Sequence, residues 1–250
     1  MKIIEEPQLE IKRKLPWFID AFLYPLNISG FIHITLFVLL PRLWSLFIKL
    51  SLSCIPPVYH TAVGEILGPL TFIFYVLVIG YLCYYIYDCL LDSAKGGIRA
   101  PIPTFGMNPY TANVWELISK IFLVLGSFAI CYCWAAVYYI FARQTDNVFW
   151  LLCAIGSFLL PMSLLAGLMF GSFDALNPIM IVNSIYKTFI TYWILLFFFY
   201  ILVAMIVKIL PRLPLWNLVI SGLRIYLIFI SSYLLGRFYW MNKDGLDWGI

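Results

Sequence analysis

Charge is what this chain has least of. Only 11% of its 250 residues are Asp, Glu, Lys or Arg, against roughly 25% in a soluble domain. So few charges cannot clothe a surface that faces water. That excludes an ordinary soluble domain and makes lipid the solvent. Cysteine motifs are missing as well. None of Cys54, Cys83, Cys89, Cys131, Cys133 and Cys153 forms a C-x-x-C pair, which removes zinc-ribbon and thioredoxin-like chemistry from consideration. Five of them lie in apolar runs and read as small buried hydrophobes, whereas Cys54 falls in an outer connection. Histidine is nearly absent, with only His33 and His60. His33 falls near the inner start of one run and His60 in an outer loop, so the two cannot hold one haem. There is no H-E-x-x-H, G-x-S-x-G or Walker loop, and no metal or cofactor is expected. Residues 1–14 mix Lys2, Lys12, Arg13 and Lys14 with Glu5, Glu6 and Glu10. No A-x-A pattern follows the first apolar run, so no cleavable leader is expected.

What is present is apolar and aromatic. Hydrophobic residues make up 64% of the chain and aromatic ones 19%. Trp and Tyr settle at bilayer interfaces, where the ring is apolar and its N–H or O–H reaches water. A helix needs about 20 apolar residues to cross a hydrocarbon core of roughly 30 Å. Six runs qualify: Ile28–Leu50, Ile66–Leu90, Leu117–Phe141, Val148–Phe170, Thr188–Ile209 and Leu215–Tyr239. The first is the weakest, because Pro41 and Arg42 interrupt it. The predicted fold class is all-α, a polytopic integral membrane protein with six transmembrane helices in three hairpins. Residues 1–25 form a cytoplasmic N-terminal segment with an interfacial helix, 28–239 the bundle, and 240–250 a cytoplasmic tail.

Orientation follows from the placement of Lys and Arg. With the N-terminus inside, the inner side carries Lys2, Lys12, Arg13, Lys14, Lys95, Arg99, Lys120, Lys187, Arg237 and Lys243. The outer side carries Arg42, Lys49, Arg143, Lys208 and Arg212. The positive-inside rule then predicts both termini in the cytoplasm. The net charge of +4 is accounted for by that cytoplasmic excess, and no nucleic-acid partner is expected.

Both long inner connections end alike. Asn108-Pro109 precedes Tyr110–Lys120 and the third span, and Asn177-Pro178 precedes Ile179–Lys187 and the fifth. Asn is a good N-cap and Pro suits the first helical position. Each pair therefore predicts a short interfacial helix, closed by a Lys that reaches the headgroups. Pro16–Leu23 is a candidate third copy before the first span. Such internal repeats are common in transporters.

Polar groups at membrane depth are the candidate functional residues, because each is costly there. Arg224 lies ten residues into the sixth run, with Glu65, Asp88 and Asp174 as candidate partners. His33 is read first as a buried, hydrogen-bonded histidine and second as a ligand. In the fourth run Ser163, Gly167 and Gly171 recur every four residues, a ridge of small side chains that lets helices approach, with Pro161 adding a kink. That run is expected to lie centrally and the fifth to face lipid or a partner subunit. Gly96-Gly97, in AKGGIRAP, reads only as a flexible turn.

Four segments carry a resemblance: FLYPLNISGFIHI, GYLCYYIYDCLLDSAKGGIRAP, DALNPIMIVNSIYKT and LLGRFYW. They resemble a family of uncharacterised polytopic bacterial membrane proteins, distantly similar to the Yip-type membrane-protein superfamily. The resemblance implies an all-helical inner-membrane protein and brings no catalytic residues. The first functional expectation is a non-catalytic subunit or scaffold in contact with membrane lipids and other membrane subunits. A small transporter or channel component, using Arg224, and a lipid-acting enzyme, using Asp88, Asp92, Glu116 and Asp174, remain the alternatives.

Overall fold

The computed structural model describes residues 17–54, 56, 60–102, 114–246 and 248. The elements in chain order are α1 (Trp17–Leu23), α2 (Ile28–Ser53), α3 (His60–Ala94), α4 (Val114–Ala142), α5 (Asn147–Phe170), α6 (Pro178–Lys187), α7 (Phe189–Ala204) and α8 (Asn217–Leu246). Short 3-10 turns occupy Tyr24–Leu26 and Phe173–Leu176, and α7 runs on through a π turn, Met205–Ile209, into a 3-10 turn, Leu210–Arg212. No strand occurs among the described residues. Among the described residues, six helices are long and apolar enough to cross a membrane: α2, α3, α4, α5, α7 with its continuation, and α8. The chain is a polytopic helical membrane protein.

Apolarity locates these helices and overlooks their ends. The second helix starts at His60 and closes at Ala94, beyond the expected Ile66–Leu90. An apolar run marks hydrocarbon depth, whereas backbone hydrogen bonding continues through polar residues into the headgroup region. Pro41, Pro69 and Pro161 all lie inside helices. In a bundle, neighbouring side chains re-satisfy the carbonyl that a proline frees.

Helix starts follow side-chain chemistry. Asn27 caps α2 by accepting from Gly30 N at 2.7 Å, Asp146 caps α5 through Phe149 N at 3.0 Å, and Asn177 caps α6 through Ile179 N at 3.0 Å. Pro178 takes the first helical position of α6, as its sequence predicts. The matching Asn108-Pro109 lies outside the described residues.

Packing centres on α8, which touches α1, α2, α3, α5, α6 and α7. Gly236 permits its closest approach: a methyl group there would fall 1.9 Å from Ser93 Oγ and 2.3 Å from Leu90 O. The sequence reading placed α5 at the centre, and α5 is indeed buried from Leu160 to Leu168. The longer central contact, however, belongs to α8. Of the small-residue ridge, Ser163 is fully buried, and its carbonyl is 3.5 Å from Ser127 Oγ of α4. Gly167 meets Ser127 and Leu176. Gly171 instead closes α5 in the left-handed conformation, φ 62. At Gly156 α5 comes close to α4, where a methyl group would fall 2.3 Å from the Cys131 carbonyl oxygen. The fifth span buries Tyr192, Leu195, Leu196, Phe199 and Leu202 while Ile190 and Phe197 face outward, so only half of it faces lipid.

Candidate functional site

Polar side chains collect where α2 begins and α3 ends. His33, on the second turn of α2, is buried. Its Nδ1 lies 2.7 Å from the Ser29 carbonyl and its Nε2 lies 2.8 Å from Tyr81 Oη. A carbonyl can only accept, so Nδ1 carries the proton and Nε2 accepts from the tyrosine. The imidazole also stacks on Tyr85, with ring centres 3.8 Å apart and planes at 7°. Both ring nitrogens are therefore engaged, and His33 is a packed, satisfied histidine. His60 begins α3, 21 residues from Tyr81, or roughly 31 Å along the helix, so the two histidines share no site.

Around His33 the turn after α3 docks onto the turn before α2. Asn27 Nδ2 donates to Ala100 O at 2.6 Å, Ser29 Oγ to Pro101 O at 2.5 Å, and Ala100 N to Tyr24 O at 3.3 Å. Tyr24 is fully buried. Its hydroxyl lies 3.1 Å from Cys89 O and 3.2 Å from Asp92 Oδ2. Burial, then the neighbouring Cys89 and Asp92, hold the Tyr24 phenol well above its ordinary range, so it stays a neutral donor. The Gly-Gly turn, read in the sequence only as a flexible turn, is what lets this happen. Gly96 has φ +89 and abuts Trp240 Nε1, and a side chain at Gly97 would collide with the Asp92 carboxylate. Tyr24 and Asp92, Asn27 and Ala100, and Ser29 and Pro101 stand 68, 73 and 72 positions apart, and no local pattern signals such pairings.

The remaining candidates do not converge. Arg224 faces outward from α8, and among the described residues no carboxylate pairs with it. Asp88 is half-buried and engaged within the fold. Asp174 is exposed in the Phe173–Leu176 turn, where it accepts from Ser172 Oγ at 3.2 Å. The side chain of Glu116 lies outside the described residues. Lys120 does not reach the headgroups as expected: it is 6% exposed and sits 3.6 Å over the Tyr87 ring. Lys187, by contrast, is exposed. No group of three His, Cys, Asp or Glu placed for a metal occurs among the described residues.

A second polar point lies between the start of α7 and the end of α8. Arg237 lines a cleft with Thr191, Ile194, Leu195, Phe198, Leu234, Phe238, Met241 and Asn242. Thr191 Oγ1 donates to Asn242 Oδ1 at 2.8 Å. The guanidinium of Arg237 lies 4.0 Å over the Trp240 ring. Sequence reading counted Arg237 only as one inner-face charge. Its clue was LLGRFYW, a lone cation directly before three aromatic residues. Comparison with protein-family models, with curated proteins and with solved structures finds no match.

Proposed function

We propose that this integral membrane protein is a non-catalytic subunit or scaffold of a membrane assembly, set in a bacterial inner membrane with both termini in the cytoplasm. The observation that carries the reading is the uneven burial of the spans. In α5 and α8, 39% of the apolar window is buried within the chain, whereas α2 and α3 bury only 17% and 11%. Every buried residue of α2 lies between Ser29 and Val38. Beyond that point, among the described residues, the α2–α3 pair is joined at Trp44, which stacks on Phe74 with centres 4.4 Å apart and donates to Thr71 Oγ1 at 3.4 Å. A hairpin clamped at one end and open along the other offers a long lateral face to a second polypeptide. The residues of the polar cluster are spent on joining segments of the chain to one another, which favours a structural role over chemistry. The transport alternative loses its main support, because Arg224 faces away from the bundle interior. The cytoplasmic orientation draws on Lys2, Lys12, Arg13 and Lys14, which lie outside the described residues.

Extracted from its native membrane in a mild detergent, the chain should run in a complex of fixed stoichiometry. Photoreactive groups at Leu43, Leu46 and Leu50 should label a polypeptide in that complex. A 29.0 kDa monomer labelled only by lipid would overturn the proposal.

A further inference from the structure

We infer that the α7–α8 cleft is a binding site for one anionic phospholipid, with the phosphate on Arg237 and one acyl chain lying against the cleft wall. The site joins two features that rarely coincide on a lipid-facing surface. Its wall is built from Ile194, Leu195, Phe198, Leu234 and Phe238, a surface suited to an alkyl chain. Its rim holds a cation whose Nε is buried without a hydrogen-bond partner. No carboxylate among the described residues pairs with that cation. A guanidinium presents a fork of donors that matches phosphate oxygens, and a buried N–H left without an acceptor is costly. An anionic headgroup relieves that cost.

The surroundings hold this cation in place. Arg237 lies over Trp240, and Trp240 is braced by Gly96 of the docked turn. Thr191 and Asn242 bond to one another and line the cleft beside Arg237. Lys187 closes the helix before α7 and Lys243 follows Asn242 in α8. Both are exposed, and both add positive charge at the same end of the helix pair. The cavity is about 80 Å³, far below the ~300–1,000 Å³ of drug-sized ligand pockets. It therefore suits a single chain entering sideways from the leaflet. Charge complementarity selects an anionic lipid over a zwitterionic one.

The test uses the full chain in nanodiscs of phosphatidylcholine with a minor fraction of phosphatidylglycerol, with native mass spectrometry counting retained lipid. Wild type should retain phosphatidylglycerol over phosphatidylcholine by roughly fivefold, the worth of one basic residue at the membrane surface. Arg237→Gln should lose that preference, and Arg224→Gln, a lipid-facing charge outside the cleft, should keep it. Ile194→Trp narrows the cleft without touching the charge and should also lose it, which keeps the test decisive if Arg237→Gln fails to fold. Preference that survives both cleft variants, or that falls equally in Arg224→Gln, overturns the inference. So does displacement of the lipid by inorganic phosphate, which would mark a simple anion site.

Discussion

Single residues set the closest contacts. Gly236 has no room for a methyl group, since Ser93 Oγ and Leu90 O stand in its place. Gly236→Ala should lower stability by about 1–3 kcal/mol, the usual cost of overpacking, read as a lower melting temperature in detergent. Gly64 in α3 has nothing within 4 Å of its missing methyl. Gly64→Ala should be neutral or stabilising by about 0.5–1 kcal/mol, because alanine loses less backbone entropy in a helix. Equal effects of the two changes would mean that α3 and α8 do not meet at Gly236. His33 belongs to the same scale. His33→Leu removes two hydrogen bonds and a stacked ring, at a cost of about 2–3 kcal/mol. If that variant unfolds no earlier than wild type, the imidazole is not the joint between α2 and α3 described above.

At the scale of elements, helix starts were more legible than helix docking. Asn177-Pro178, read as a helix start, acts within three residues and the structure uses it; Asp146 acts over the same distance at the start of α5 but was not singled out in the sequence. The carboxylate of Asp146 is held below its ordinary range, first by the Tyr138 hydroxyl and then by Phe149 N. The sign of its pH dependence follows. A carboxylate whose folded pKa is depressed contributes stability above its unfolded pKa and loses it as pH falls through the folded value. The gap in melting temperature between wild type and Asp146→Ala should therefore be full at neutral pH and close on acidification. A gap independent of pH would show that the cap does not act through the charged carboxylate. Docking left no such local trace. Gly96-Gly97 carries the same letters whether it links loosely or seats against Trp240 and Asp92. Gly156 and Gly236 each look like an isolated glycine in an apolar run. Only three-dimensional proximity separates them from Gly64.

At the scale of the whole molecule, the six crossings could be read from apolar run length alone, because lipid admits few other backbones. The ranking of the helices could not. Hydropathy treats every span alike, so the outward face of Arg224 and the central place of α8 were both invisible to it. Arg224→Leu should insert and fold at wild-type yield, since the arginine holds no partner among the described residues. A marked loss of folded protein would show that it anchors the bundle. The hairpin scheme survives as connectivity. As packing it is uneven, close in α4–α5 and loose in the half of α2–α3 nearest its connecting loop.

The position of α8 in the chain adds a constraint on biogenesis. It is the last of the described spans to leave the ribosome, yet α3, α7 and the buried Tyr24 all rest on it. The earlier spans must wait in the bilayer with their mating surfaces open until it arrives. A ribosome stalled within residues 217–246 would leave an inserted but unassembled chain, a natural substrate for membrane quality control. Assembly of these spans is thus gated by the synthesis of α8.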